Sequence, residues 1–170
     1  MHCFISAGEP SGDLHGGNLA RALRHIDPNL QLTGLGGANM RLAGVELLDP
    51  LAEKAIMGVV GALKYVPSLM NLLEQLTVAW HRRRPDVVVL IDYPGFHWHL
   101  AARAKALEIP VVSFVPPQIW AWASYRITKM RRSFHHVLCA LPFEESWFRS
   151  HGMSADFIGH PYFDELAQQC

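Results

Sequence analysis

At 170 residues, half of them hydrophobic, the chain is long enough to bury roughly two-thirds or more of its unfolded surface, and one domain is the default expectation. Fifteen Lys and Arg against fifteen Asp and Glu leave no overall field to gather nucleic acid, which is excluded as an expected partner. No apolar run reaches the roughly eighteen residues of a membrane span, and Met1-His2-Cys3-Phe4-Ile5 enters a strand pattern without a basic leader, so neither export nor a transmembrane anchor is expected.

In chain order, apolar runs predict strands at residues 2 to 7, 31 to 35, 86 to 91, 110 to 115, 136 to 140 and 155 to 158, with a weak one at 45 to 48. Helical spacing predicts helices at 12 to 25, 37 to 43, 67 to 83, 96 to 108, 124 to 133 and 143 to 151. Such alternation predicts an α/β domain with a doubly wound parallel sheet. Phe163 to Cys170 reads as the start of a helix that stops, as in half of a longer architecture. Cys3, Cys139 and Cys170 lack the paired spacing of a zinc site or disulfide framework and fit a reducing cytoplasm.

The first predicted strand ends in Ser6-Ala7-Gly8-Glu9-Pro10-Ser11-Gly12-Asp13. Glycines admit a ligand close to the backbone, Ser11 can cap the following helix, and the free N–H groups there suit an anion or sugar hydroxyls. The three-glycine dinucleotide spacing and the P-loop lysine are both missing, and Glu9 and Asp13 favour hydroxyl recognition over a phosphate cradle. A plain tight turn is the alternative.

Residues 56 to 80 are apolar over more than one helical face and end in His81-Arg82-Arg83-Arg84. Such a helix can lie on an anionic membrane surface through Val60, Leu63, Val66, Leu69 and Met70, or be a buried helix with a basic C-terminus favoured by its dipole. Val87 to Ile91 then reads as a buried parallel strand that breaks at Asp92-Tyr93-Pro94-Gly95. Ligands in open α/β sheets bind beyond the carboxyl ends of such strands, so Asp92 is a candidate base or, alternatively, a cap for the next helix. Asp86, at the start of the same strand, belongs to the opposite end of the sheet and reads as structural.

Pro116-Pro117-Gln118-Ile119-Trp120-Ala121-Trp122 sets Trp120 and Trp122 at another strand end, where indoles stack on sugar faces or pack a domain. Arg126 and Lys129 share a helical face by their spacing and suit an anionic group or plain solvation. Among ten histidines, His97 and His99 diverge on a helix and His135 and His136 alternate on a strand, so no metal site is expected.

Gly8-Glu9-Pro10-Ser11-Gly12-Asp13, Met57-Gly58-Val59-Val60, Arg84-Pro85-Asp86, Ile91-Asp92-Tyr93-Pro94, Trp120-Ala121-Trp122, Leu141-Pro142-Phe143-Glu144 and Gly159-His160-Pro161 occur in the order found in lipid-A-disaccharide synthases, and the chain resembles that family over nearly its whole length. The family often reads Asp-Ala-Pro-Asp-Phe at Asp92 to Phe96, Glu at Gly61, and Ser-Pro-Ser at Pro116 to Gln118.

The resemblance implies the Rossmann-like N-terminal domain of a two-domain GT-B-type glycosyltransferase, an inverting enzyme without cofactor or metal. Residues 1–161 would form the acceptor-side domain and 162–170 the start of an interdomain segment, with the donor-binding domain beyond this chain. The implied reaction transfers 2,3-diacylglucosamine from UDP-2,3-diacylglucosamine to 2,3-diacylglucosamine 1-phosphate, forming a β-1,6 disaccharide and UDP. Asp92 matches the base; Glu9, Ser11, Gly12 and Asp13 would shape the acceptor side; Trp120, Trp122, Arg126 and His160 would line the cleft. The implied location is cytoplasmic, peripheral to the inner membrane. A non-catalytic lipid or membrane-surface binding module, or another sugar-nucleotide enzyme such as an epimerase, are the alternatives.

Overall fold

The computed structural model describes residues 1–55 and 62–163. Seven strands form one parallel sheet in the order β3-β2-β1-β4-β5-β6-β7: β1 is His2–Ala7, β2 Gln31–Leu35, β3 Glu46–Asp49, β4 Val87–Ile91, β5 Val111–Phe114, β6 His136–Cys139 and β7 Ala155–Phe157. The connecting helices are α1 (Pro10–Ile26), α2 (Ala38–Leu42), α3 (Leu51–Ala55), α4 (Ala62–Arg82), α5 (Pro94–Ala106), α6 (Ile119–Trp122), α7 (Ile127–Ser133) and α8 (Pro142–Ser150), with a 3-10 turn at Ser124–Arg126. This is the doubly wound α/β fold the alternation predicts, and its order reverses between β1 and β4, where Ala7 pairs with Ile91.

The pleat sorts the core into two layers. Cys3, Ile5, Val89 and Ile91 face α1 and pack with Ala20, Leu32 and Met40, whereas Phe4, Val88 and Leu90 face α4 and α5 and pack with Leu73, Leu76, Trp80 and Leu100. Phe4 and Trp80 meet edge to face at 5.0 Å. Each such fully buried side chain contributes about 1.5–3 kcal/mol. Under α6, α7 and α8 a third cluster centres on Ile119, Met130, Val137 and Phe148.

The predicted helix boundaries differ from the observed ones most at the starts of α1, α4, α5 and α7. The first helix starts at Pro10, with Glu9 as its N-cap residue and no side-chain cap, so Ser11 lies inside the first turn and does not cap it; the fixed φ of proline suits the first helical position. α4 begins at Ala62 and runs through Pro67, which costs the ladder only one bond near its start. The short helices α3 and α6 were not predicted.

Leu69, Leu72, Leu73, Leu76 and Trp80 form the inward stripe of α4, at the spacing of one helical face. Leu69 therefore packs on the core instead of facing outward as a membrane contact. Val66 and Met70 are exposed. Val60, the motif Met57-Gly58-Val59-Val60 and the side chain of Leu63 lie outside the described residues. No described helix is long and apolar enough to cross a membrane.

Candidate active site

The loops leaving β1 and β4 start side by side at the point where the strand order reverses, the usual ligand crevice of an open α/β sheet. Gly12, in the first turn of α1, packs against the Ile91 carbonyl, where an added Cβ would lie 3.4 Å from the oxygen. Glu9 and Ser11 are exposed on that turn. The positive end of a 17-residue helix thus sits beside the C-terminal end of β4, where it favours negative charge.

Asp92 is the first residue after β4 and is exposed. It does not cap α5: Tyr93 holds the N-cap position with Pro94 in the first turn, and Asp92 Oδ1 accepts the Tyr93 N–H at 2.9 Å. Its surroundings raise the carboxyl pKa through burial, against the pull of that N–H. A carboxylate shifted toward the working pH is a better proton acceptor than an ordinary one. The backbone here is left-handed at two successive positions, Asp92 (φ 44°) and Tyr93 (φ 61°), and Val115, just beyond β5, is a third (φ 52°). Such residues cost about 1–3 kcal/mol each and persist only where neighbours hold them.

Below Asp92 the site has a buried polar floor. Ser6 Oγ and His97 Nε2 are 2.8 Å apart, and burial pushes the imidazole pKa down to about 3, so His97 is neutral at physiological pH. A small pocket beside them is lined by Asp92, His97, Trp98, Ser113, Pro117 and Met130. The spacing argument that separates His97 from His99 holds, with one buried and the other exposed. His97 was not among the residues expected at the site.

The other expected residues divide. Asp13 is buried, and its carboxylate accepts the N–H groups of Gly37 (2.6 Å), Asn39 (2.9 Å) and Met40 (3.2 Å) and the Asn39 amide (2.9 Å). These are donors at the start of α2, so the Asp13 carboxylate fixes that loop and its lone pairs are taken up there. Asp13→Ala strands several buried donors and is expected to cost about 2–4 kcal/mol, read as a lowered urea midpoint.

Trp120 is half-buried, edge to face on Phe143 at 4.7 Å, and its Nε1–H donates to Glu144 Oε1 at 2.9 Å. Its N–H is therefore occupied by protein. Glu144 is buried and also accepts the Leu141 N–H at 3.0 Å, so it ties α8 to the tryptophan loop. Trp122 is 64% exposed, with the Arg126 guanidinium 5.0 Å above its ring. Arg126 has no carboxylate partner among the described residues. Lys129 turns away to the Trp98 ring at 5.4 Å and does not join it. His160, half-buried on the loop after β7, meets His15 of α1 edge to face at 6.3 Å, so the last loop returns to the first helix.

Two other arrangements carry no chemistry. Ser154, His136 and Asp156 are linked at 2.8 and 3.0 Å but stand on the solvent edge of β6 and β7. Burial pushes the Cys3 and Cys139 thiols up to about 12, which makes them inert. No group of three metal-ligating side chains occurs among the described residues.

A family model described as lipid-A-disaccharide synthetase matches residues 3–170. The chain is 41% identical over 163 residues to the lipid-A-disaccharide synthase of Myxococcus xanthus, covering 96% of this chain and 43% of that protein. With the Coxiella burnetii (strain Dugway 5J108-111) lipid-A-disaccharide synthase the identity is 41% over 158 residues, 93% of this chain and 42% of the other. The chain thus spans under half the length of the curated relatives it matches. Among solved structures, UDP-GlcNAc 2-epimerase from Neisseria meningitidis superposes with TM-score 0.67 at 12% identity, over 98% of this chain and 47% of that one. Acinetobacter baumannii MurG does so with TM-score 0.51 at 18% identity, over 83% and 41%. At such identities these likenesses speak for the fold alone.

Proposed function

The chain belongs to the lipid-A-disaccharide synthase family, and from that premise we propose that residues 1–161 form the acceptor-side domain of an inverting glycosyltransferase. The donor would be UDP-2,3-diacylglucosamine and the acceptor 2,3-diacylglucosamine 1-phosphate. The acceptor 6-hydroxyl oxygen attacks the anomeric carbon, the bond from that carbon to the UDP phosphate oxygen breaks, and UDP leaves with the electron pair. Asp92 takes the hydroxyl proton.

The observation that carries this reading is Asp92 itself, a solvent-reachable carboxylate at the strand reversal, its pKa raised by partial desolvation in the crevice and its Oδ1 accepting the next amide. Its left-handed backbone, strained beside a crevice, is a feature often met at working sites. Glu9, Ser11 and Gly12 would meet acceptor hydroxyls. Trp122 and Arg126 would take a sugar face and the acceptor phosphate, a pairing their stacking at 5.0 Å supports. Trp120 and Asp13 would act through the loops they hold, and His160 would close the crevice from the far side.

Exposed Val66 and Met70, with Val60 and Leu63, would rest on the cytoplasmic surface of the inner membrane, where acylated substrates reside. The UDP-sugar would be held by a C-terminal domain joined through residues 162–170, a reading supported by the 43% coverage of the Myxococcus relative.

The test is UDP release from donor and acceptor in detergent micelles. The 170-residue chain is expected to release none alone and to release UDP when the C-terminal half is supplied separately. Release by the chain alone refutes the division of labour. No release in any mixture, with acceptor lipid still bound, favours a non-catalytic binding module.

A further inference from the structure

Asp92 and Tyr93 are both left-handed without being glycine, so something must hold the turn that presents the carboxylate. The Tyr93 ring lies over Gly8, in space that an added Cβ would enter at 2.2 Å. It meets the His97 imidazole in a T-shaped contact at 5.8 Å and 80°, and the His97 backbone N–H donates to the Tyr93 carbonyl at 3.2 Å. His97 is in turn fixed to β1 through Ser6 Oγ.

We infer that His97 is a positioning residue for Asp92, linking Ser6 of β1 to the strained turn after β4 from beneath. The inference rests on the reading of Asp92 as the base.

The tautomer follows from the surroundings. Nδ1 is buried with no hydrogen-bond partner at ordinary geometry, and the Asp92 backbone is the group that favours a proton on the ring. With the hydrogen on Nδ1, toward the Asp92 backbone, Nε2 is left to accept from the Ser6 hydroxyl at 2.8 Å. Complete burial keeps the ring neutral, so it supports the turn without adding a charge that would lower the basicity of Asp92. An imidazole suits this place because its ring meets Tyr93 while Nε2 reaches Ser6 and Nδ1 lies beside the Asp92 backbone.

Two readouts test this: the ¹³C titration of the Asp92 carboxyl in the 170-residue chain, and transfer kinetics with the C-terminal half supplied. His97→Phe keeps a ring but loses the Ser6 contact and the ring nitrogen beside the Asp92 backbone. It is expected to displace the Asp92 midpoint and to lower kcat by about 10- to 100-fold, the size of a small misalignment, with KM little changed. His97→Asn, whose amide nitrogen reaches about as far as Nδ1, is expected to recover most of the kcat. A folded His97→Phe with unaltered midpoint and kcat overturns the inference. Should His97→Phe not fold, Ser6→Ala decides by the same two readouts. Retained transfer by Asp92→Asn would defeat the base reading alone, because the response of the Asp92 titration to His97 replacement would still report on positioning.

Discussion

Asp92→Asn is expected to cut sugar transfer by about 10²- to 10⁴-fold, the usual contribution of a general base, while leaving the melting temperature within about 1 °C of the parent. Asparagine tolerates the left-handed backbone as well as aspartate does, and its amide oxygen can still accept the Tyr93 N–H that Asp92 accepts at 2.9 Å. What it cannot do is take a proton. KM should stay close to the parent value, since the group acts in the transition state more than in binding. Asp86 provides the contrast. It sits at the other end of β4 and accepts the His2 N–H at 2.6 Å; Asp86→Asn should leave transfer unaffected. A fall in transfer for both variants alike would point to a general loss of folding and not to chemistry at Asp92.

The second large effect is acid lability. His97 has an ordinary pKa of 6.5 and a folded value of about 3. Between those values the unfolded chain binds a proton that the folded chain refuses, so stability rises with pH across that window. It is lost progressively as pH falls below about 6.5, by on the order of 4 kcal/mol once pH 3 is reached. Burial lowers His2 and His135 in the same direction, with Lys105 adding its charge at His135. Asp92 works with the opposite sign, because its raised carboxyl pKa favours the folded state as it protonates, but only in the carboxylate range. The net expectation is a melting temperature about 5–10 °C lower at pH 4.5 than at pH 7. His97→Gln, which has no titrating ring, should flatten that profile. An equal slope in the variant would mean that His97 is not the group responsible.

The sheet was legible because each buried strand is a short apolar run ended by Gly, Pro or an acid. β1 and β2 fall at the predicted residues 2 to 7 and 31 to 35. α3 and α6, five and four residues long, span too little of a helix for any periodicity to appear. Asp92 could be read from its place after β4, since strand ends at a doubly wound sheet are a general rule.

His97 could not be found the same way. Its partner Ser6 is 91 residues away, and a single histidine on a helix has no spacing to betray it. The only local signal is Ser6 itself, a polar residue on the same face of β1 as buried Phe4, which must find a partner there. Asp13 was recognisable as an unusual acid, but its work at the start of α2 depends on donors 24 to 27 residues away. Trp120 was singled out as an aromatic at a strand end; that Glu144 occupies its N–H is equally long-range.

The packing of Tyr93 over Gly8 has a historical corollary. Because any side chain at position 8 would collide with the ring, the two sites cannot drift independently. A lineage carrying tyrosine at 93 is confined to glycine at 8 until 93 shrinks, whereas a lineage with a small residue at 93 is free of that collision. Starting from the present pair, position 93 must therefore change before position 8; in the opposite direction position 8 must become glycine before a tyrosine enters at 93.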